Sequence, residues 1–373
     1  MDTSSRAGVA SRARLLLVLP AAAALVLGLI AGLLLLGLPL PILSDRLADL
    51  HAPLLVFGFV GTLISLERAI ALRAGWAYAA PALLAIGAIA AVTPVPLPAA
   101  QAATVAGLAV HVLQYRAIWR RQPMTATAVQ ALGAAAGLLA AVAWCGGVPP
   151  GRLVPLLAAF LVLTIAGERL ELARIAAPGI RAERILFTLA LAVTTACLLS
   201  LTAPVVAVPV AGFVLLGLVA WLVRYDVARR TVRMPGLPRY VAVCLLAGYA
   251  WLAVAGAGWL VGGARTEGAV YDATTHAIFL GFVITMIMAH APVILPAVLH
   301  VGIPYHPALY APVALLQAAL LVRVVAGDAW GWVPALQAGG VGAAAALILF
   351  GATAVTLSLR DGRIERSRAR VTA

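Results

Sequence analysis

Apolar residues run along this chain in blocks of roughly 20, separated by short stretches that carry Pro, Gly and Arg. Such a block spans the hydrocarbon of a bilayer when helical, because each residue adds about 1.5 Å of rise. The pattern predicts about twelve transmembrane helices, near residues 14–42, 51–71, 76–94, 98–118, 125–147, 152–172, 183–203, 206–224, 239–262, 273–299, 307–325 and 331–358. The fold class expected is therefore an all-α polytopic membrane protein. The first block, from Arg14 to Ile42, resembles a secretory signal but is too long and too apolar for one, so it is read as an uncleaved first span. No connection is long enough to hold a soluble domain; the largest is the basic turn from Arg224 to Arg239. Residues 1–373 are read as a single transmembrane domain with short basic tails at 1–13 and 360–373.

Composition sharpens this picture. The chain is 64% hydrophobic and 10% charged, which excludes an ordinary soluble globule. All 26 basic residues are Arg, a composition that fits a GC-rich bacterial gene. A net charge of +13 would suit nucleic acid, but the distribution of the arginines points to membrane orientation instead. With the N-terminus placed inside, 22 of the 26 fall on inner segments. The outer side keeps only Arg46, Arg152, Arg265 and Arg323. This asymmetry predicts both termini in the cytoplasm, a location in the bacterial inner membrane and contact with lipid; no nucleic-acid partner is expected. Cys145, Cys197 and Cys244 stand singly in apolar stretches and indicate neither a disulfide framework nor a thiolate metal site.

Histidine carries the candidate chemistry, because an imidazole inside a bilayer is costly and commonly functional. On the twelve-span topology, His51 and His276 begin the second and tenth helices at matched depth near the outer surface. Their simplest shared ligand is a haem iron held between two imidazoles. The segments HAPLLVFGFVGTLI and HAIFLGFVITMI also rhyme, each placing Gly-Phe-Val a turn or two after the histidine. Gly58, Gly61 and Gly281 would admit close helix packing or a flat macrocycle. His290 lies about 21 Å deeper on the same helix as His276, and with His111 it is a candidate for a second site. His300 and His306 flank the inner turn VGIPYHP and are weaker candidates for a metal. Against each stands the plain reading, a histidine bonded to a neighbouring carbonyl. Asp49 and Asp272 precede the outer histidines by two and four residues; helix capping is favoured for them over orienting an imidazole.

No carboxylate falls in the middle of a span, which argues against a proton pump or a carboxylate-driven symporter. The deepest, Glu67 and Glu168, are each followed by Arg in SLERAIALR and AGERLELAR. A quinone or proton site is conceivable there, but anchoring of helix ends near the headgroups is favoured. Pro292 and Pro296 follow His290, so freed carbonyls could line a cavity there unless the prolines are an ordinary kink.

The two histidine segments resemble the NnrS family of bacterial haem- and copper-containing membrane proteins. The matching residues are His51-Ala52 leading to Phe57-Gly58-Phe59, and His276-Ala277 with Gly281 and Met286-Ile287-Met288-Ala289. That family's first motif reads His-Ala-His-Glu, where this chain has His51-Ala52-Pro53-Leu54, so the residues for copper are reduced. More distantly, the chain is similar to subunit I of haem-copper oxidases, which has twelve helices and holds a low-spin haem between histidines of helices 2 and 10. No histidine pair stands where that subunit binds copper. These resemblances imply haem b with His51 and His276 as axial ligands, a possible copper, an electron donor or respiratory complex as partner, and a role in nitric oxide or nitrosative stress or in electron transfer. Catalytic residues are not assigned, and oligomeric state is left open. The rival readings are a haem-free transporter, or an assembly factor for a respiratory complex.

Overall fold

The fold comes from a computed structural model, which describes residues 3–40, 44–173, 179–299 and 302–371. No strand occurs among the described residues. Among these residues, twelve helices are long and apolar enough to cross a membrane: α1 (Leu16–Leu35), α2 (Ala48–Leu72), α3 (Gly75–Val92), α4 (Leu97–Arg121), α5 (Thr125–Cys145), α6 (Pro150–Ala173), α7 (Ile180–Leu199), α8 (Pro204–Tyr225), α9 (Leu237–Gly262), α10 (Ala269–Pro296), α11 (Pro307–Ala329) and α12 (Val333–Asp361). The hydropathy blocks thus appear one for one as helices. Helix continues into both basic tails, from Thr3 at the start and to Val371 at the end. The outward faces are apolar: Val261 is 87% exposed, Val205 80% and Ile348 65%. Water would penalise such a surface, whereas lipid does not.

The helices form two compact units. The larger comprises residues 15–226 and 252–275, hence α1 to α8 and the ends next to the α9–α10 turn. The smaller holds residues 1–14, 227–251 and 276–373.

In the larger unit α6 is the core helix. Every residue from Leu153 to Thr164 is buried, as expected of a segment apolar all round. Small residues bring its neighbour α5 close: a methyl on Gly133 would lie 2.8 Å from the Phe160 carbonyl oxygen, and one on Gly137 would lie 2.9 Å from the Phe160 ring. Close backbone approach through Gly and Ala is the usual packing device where lipid removes the hydrophobic drive between helices. Gly212 does the same for α8 against α9, beneath Gly256 and Leu260.

The smaller unit is built on α10, α11 and α12. Gly339 of α12 sits against Ala319 and Arg323 of α11, and Gly327 sits against the Leu336 backbone. A polar chain crosses this unit. The Trp251 indole donates to Gln317 Oε1 at 2.6 Å, and the Gln317 amide donates to Thr285 Oγ1 at 3.0 Å. Thr285 Oγ1 in turn donates to the Leu280 carbonyl at 3.2 Å.

Among the described residues, three eight-residue stretches within the predicted blocks wind wider than an α-helix. Leu54–Gly61 in α2, Ala277–Ile284 in α10 and Val322–Ala329 in α11 wind as π-helix. The first two share one sequence register. Each begins four residues before the glycine of Gly-Phe-Val (Gly58 and Gly281), ends three after it, and is followed by a threonine, Thr62 or Thr285. The Thr285 bond to Leu280, five residues back, shows how a hydroxyl takes up a carbonyl in the widened turn. Arg323, counted from sequence on the outer side near the end of the eleventh span, lies inside the third π segment and is buried.

Gly133→Val is expected to lower the unfolding midpoint in detergent, with a destabilisation of about 2 kcal/mol or more from overpacking. Gly75→Ala, where nothing lies within contact distance, should leave the midpoint unchanged.

Candidate functional site

His51 opens the helical part of α2, directly after the turn Ala48–Leu50. Its Nδ1 lies 2.8 Å from the Gly28 carbonyl oxygen on α1. A carbonyl can only accept, so Nδ1 carries the hydrogen and Nε2 carries the ring's lone pair. The imidazole rests on Gly32, where a Cβ would come within 2.6 Å of Cε1. Glycines on α1 therefore place and orient this ring. A histidine that ligates a metal usually has its second nitrogen engaged in this way.

His276 belongs to the other unit. It is half-buried and immediately precedes the π segment of α10. His290, further along α10, donates from Nδ1 to the Met286 carbonyl at 2.7 Å, one turn back. The nearby prolines open no unpaired carbonyl at Met288. Pro292 removes the donor that would serve it, and the Tyr240 hydroxyl supplies a bond to the same oxygen at 3.0 Å. There the freed carbonyl is taken up by a neighbouring helix instead of lining a cavity.

His306 is exposed and accepts from the Ala308 amide at 3.1 Å, capping the short turn Pro307–Leu309. Its ring thus has the opposite tautomer from His51, with Nε2 protonated when neutral. His300 lies outside the described residues, as does Arg174. Asp49 and Asp272 stand in the first turns of their helices, where a carboxylate complements the helix dipole; the residue before Ala48, Leu47, caps with no side chain. Among the described residues no group of three or more His, Cys, Asp and Glu is placed to hold a metal ion.

His111 sits elsewhere in the larger unit, in a polar group that sequence reading did not assemble. It is wholly buried on α4, and its Nδ1 lies 2.7 Å from Gln114 Oε1. The Gln114 amide donates to the carbonyls of Ser65 at 3.0 Å and Ala77 at 2.8 Å, tying α4 to α2 and α3. Those two bonds fix the amide's orientation, so its oxygen faces His111 and the imidazole hydrogen is on Nδ1. The Tyr115 ring meets His111 edge-on at 5.1 Å, and Phe160 of α6 closes another side at 6.1 Å. The hydroxyl of Tyr115 and Nε2 of His111 have no hydrogen-bond partner.

The two Glu-Arg motifs converge on the same unit. Arg68 contacts Glu67 at 2.6 Å and, across from α2 to α6, Glu168 at 3.4 Å. Arg169 pairs with Asp226 at 3.9 Å, both buried. Simple anchoring of separate helix ends is thus replaced by an ion group shared between helices. Arg121 adds a bond to the Leu72 carbonyl at 2.8 Å, closing the end of α2 where Arg73 turns left-handed. The signal for Gln114 and Tyr115 was present in the sequence. Gln101, Thr104, His111 and Gln114 recur along one stripe of α4, and all are buried.

This architecture defines a polytopic α-helical membrane protein with polar groups buried inside its bundle. The chain belongs to the DUF8744 family, described as a domain of unknown function, which it matches over residues 14–359. No curated protein and no solved structure matches it.

Gln114→Leu should leave two buried carbonyls and the His111 N–H unsatisfied, at about 1–3 kcal/mol each. A clear drop in the thermal midpoint is the expected outcome, whereas Gln122→Leu at the exposed end of α4 should be neutral.

Proposed function

We propose that this protein is a haem-carrying membrane protein in which His51 and His276 each supply an axial imidazole. The observation that carries the reading is the bond from His51 Nδ1 to the Gly28 carbonyl at 2.8 Å. It holds the ring in the tautomer that ligates through Nε2, and the Gly32 surface fixes the ring plane. The matched π segments beside His51 and His276 add support, since π turns are frequent at functional sites. A b-type haem held by these imidazoles would supply one-electron chemistry and, with a ligand displaced, a binding position for a diatomic gas.

The chain's own part is to hold the imidazoles and to surround them with apolar side chains that exclude water. Leu50, Leu54 and Phe57 near His51 are buried, as are Ala277 and Ile278 after His276. The resemblance to the NnrS family supports a role in tolerance of nitric oxide or nitrosative stress, with electrons drawn from a respiratory partner. The arginine asymmetry supports a bacterial inner-membrane location with both termini cytoplasmic.

Absorption spectra of the purified protein, oxidised and dithionite-reduced, test this directly. A sharp reduced α-band with about one haem per chain by pyridine haemochrome is expected. His51→Ala and His276→Ala should each change that band, and the double variant should lose it. Gly32→Leu, which displaces the His51 ring without removing it, should reduce haem retention as well. An unaltered Soret band in the double variant would overturn the assignment.

A further inference from the structure

The polar group around His111 does not include the histidines proposed for haem and calls for its own explanation. Two wholly buried atoms there, His111 Nε2 and Tyr115 Oη, make no hydrogen bond. Leaving such atoms dry is costly, and a bilayer offers no remedy. Both have complementary roles: Nε2 is a proton acceptor by the tautomer that Gln114 imposes, and Oη can donate and accept. Close by, one guanidinium, Arg68, serves two carboxylates, Glu67 and Glu168. Arg169 also acts on Glu168, but it is paired with Asp226, so these two arginines still face more carboxylates than they match. The group therefore holds an excess negative charge that a proton would neutralise. Its charges act on Tyr115 from both helices: Arg68 and Glu67 from α2, and Glu168 and Glu171 from α6. Arg68 also acts on His111.

We propose that this group is a proton-transfer site, entered at the Glu67 and Glu168 carboxylates and ending at His111, with internal water as the bridging ligand. The geometry along the helices fits a path inward. Glu168 lies five residues from the end of α6, about 8 Å, and His111 lies ten residues from the end of α4, about 15 Å. A hydronium at the aqueous end gives its proton to the Glu168 carboxylate and leaves water. The resulting carboxylic acid passes a proton through bridging water to Tyr115 Oη, while the Tyr115 hydroxyl hydrogen passes through a second bridging water to His111 Nε2. Each step breaks one bond to hydrogen and makes one, and no electron is transferred. The product is a neutral pair at Arg68–Glu67, a restored Glu168 carboxylate and an imidazolium at His111. Repulsion from Arg68 favours return of that proton, so the site exchanges protons in both directions.

Infrared difference spectra of the full-length protein after a pH step between about pH 8 and pH 5 test the proposal. It does not depend on haem, so a colourless protein leaves the experiment intact. A protonated-carboxyl band is expected, lost in Glu168→Gln and kept in Glu267→Gln. An imidazolium band from His111 should follow it, absent in His111→Gln. Tyr115→Phe keeps the ring and its packing but removes the hydroxyl; it should slow His111 protonation at least about ten-fold while leaving the carboxyl band in place. Should Glu168→Gln fail to fold, the Tyr115→Phe comparison still decides. No carboxyl or imidazole change in the wild type, or wild-type protonation kinetics in Tyr115→Phe, would overturn the proposal.

Discussion

Lipid offers no hydrogen bonds, and that constraint organises the interior of this protein. Polar atoms drawn into the bundle find partners on neighbouring helices. Gln114 binds the carbonyls of Ser65 and Ala77 and orients His111. Tyr240 meets the Met288 carbonyl that Pro292 cannot serve. Gln317 stands between Trp251 and Thr285. Each of these is a tertiary bond replacing a bond that water would make in a soluble protein. Where the replacement is incomplete, as at His111 and Tyr115, attention falls on chemistry.

The π segments of α2 and α10 are a second consequence of the same rule. A widened turn displaces carbonyls from the regular ladder, so it persists where side chains and close packing accommodate it. In α10 the Thr285 hydroxyl does so, while Gly281 lets the Trp251 ring close over the helix. In α2 Gly58 packs against Ala24 and Ala88, and Gly61 lies close to the Val56 carbonyl. The repeated Gly-Phe-Val-Xaa-Thr register gives both histidine helices the same local irregularity. That repetition binds the two motifs more closely than their composition alone.

Electrostatics follow a division of labour. Most arginines sit at helix ends and in connections, where headgroups and water solvate them. Arg68, Arg169 and Arg323 are drawn inside the bundle; Arg68 meets Glu67 and Glu168, and Arg169 meets Asp226. Burying an ion pair is a poor way to gain stability, since desolvation offsets the attraction. Such groups are better understood as devices that fix helix register or handle charge, which is why the Arg68 group bears on function.

The sequence by itself determined the class of protein and its twelve helices, because hydropathy and helix length are local quantities that neighbouring residues settle among themselves. It also marked His51 and His276 through the expense of imidazole in lipid, and the shared Gly-Phe-Val was visible without coordinates. Tertiary structure alone decided which carbonyl holds the His51 ring, that His111 joins Gln114 and Tyr115, and that the Glu-Arg motifs of α2 and α6 share a salt bridge. Glu67 and Glu168 are about a hundred residues apart, and nothing in their own segments announces the other. The π turns were hidden for a related reason. Their stability rests on a threonine hydroxyl and on small residues facing particular neighbours, and such pairings exist only once the helices have packed.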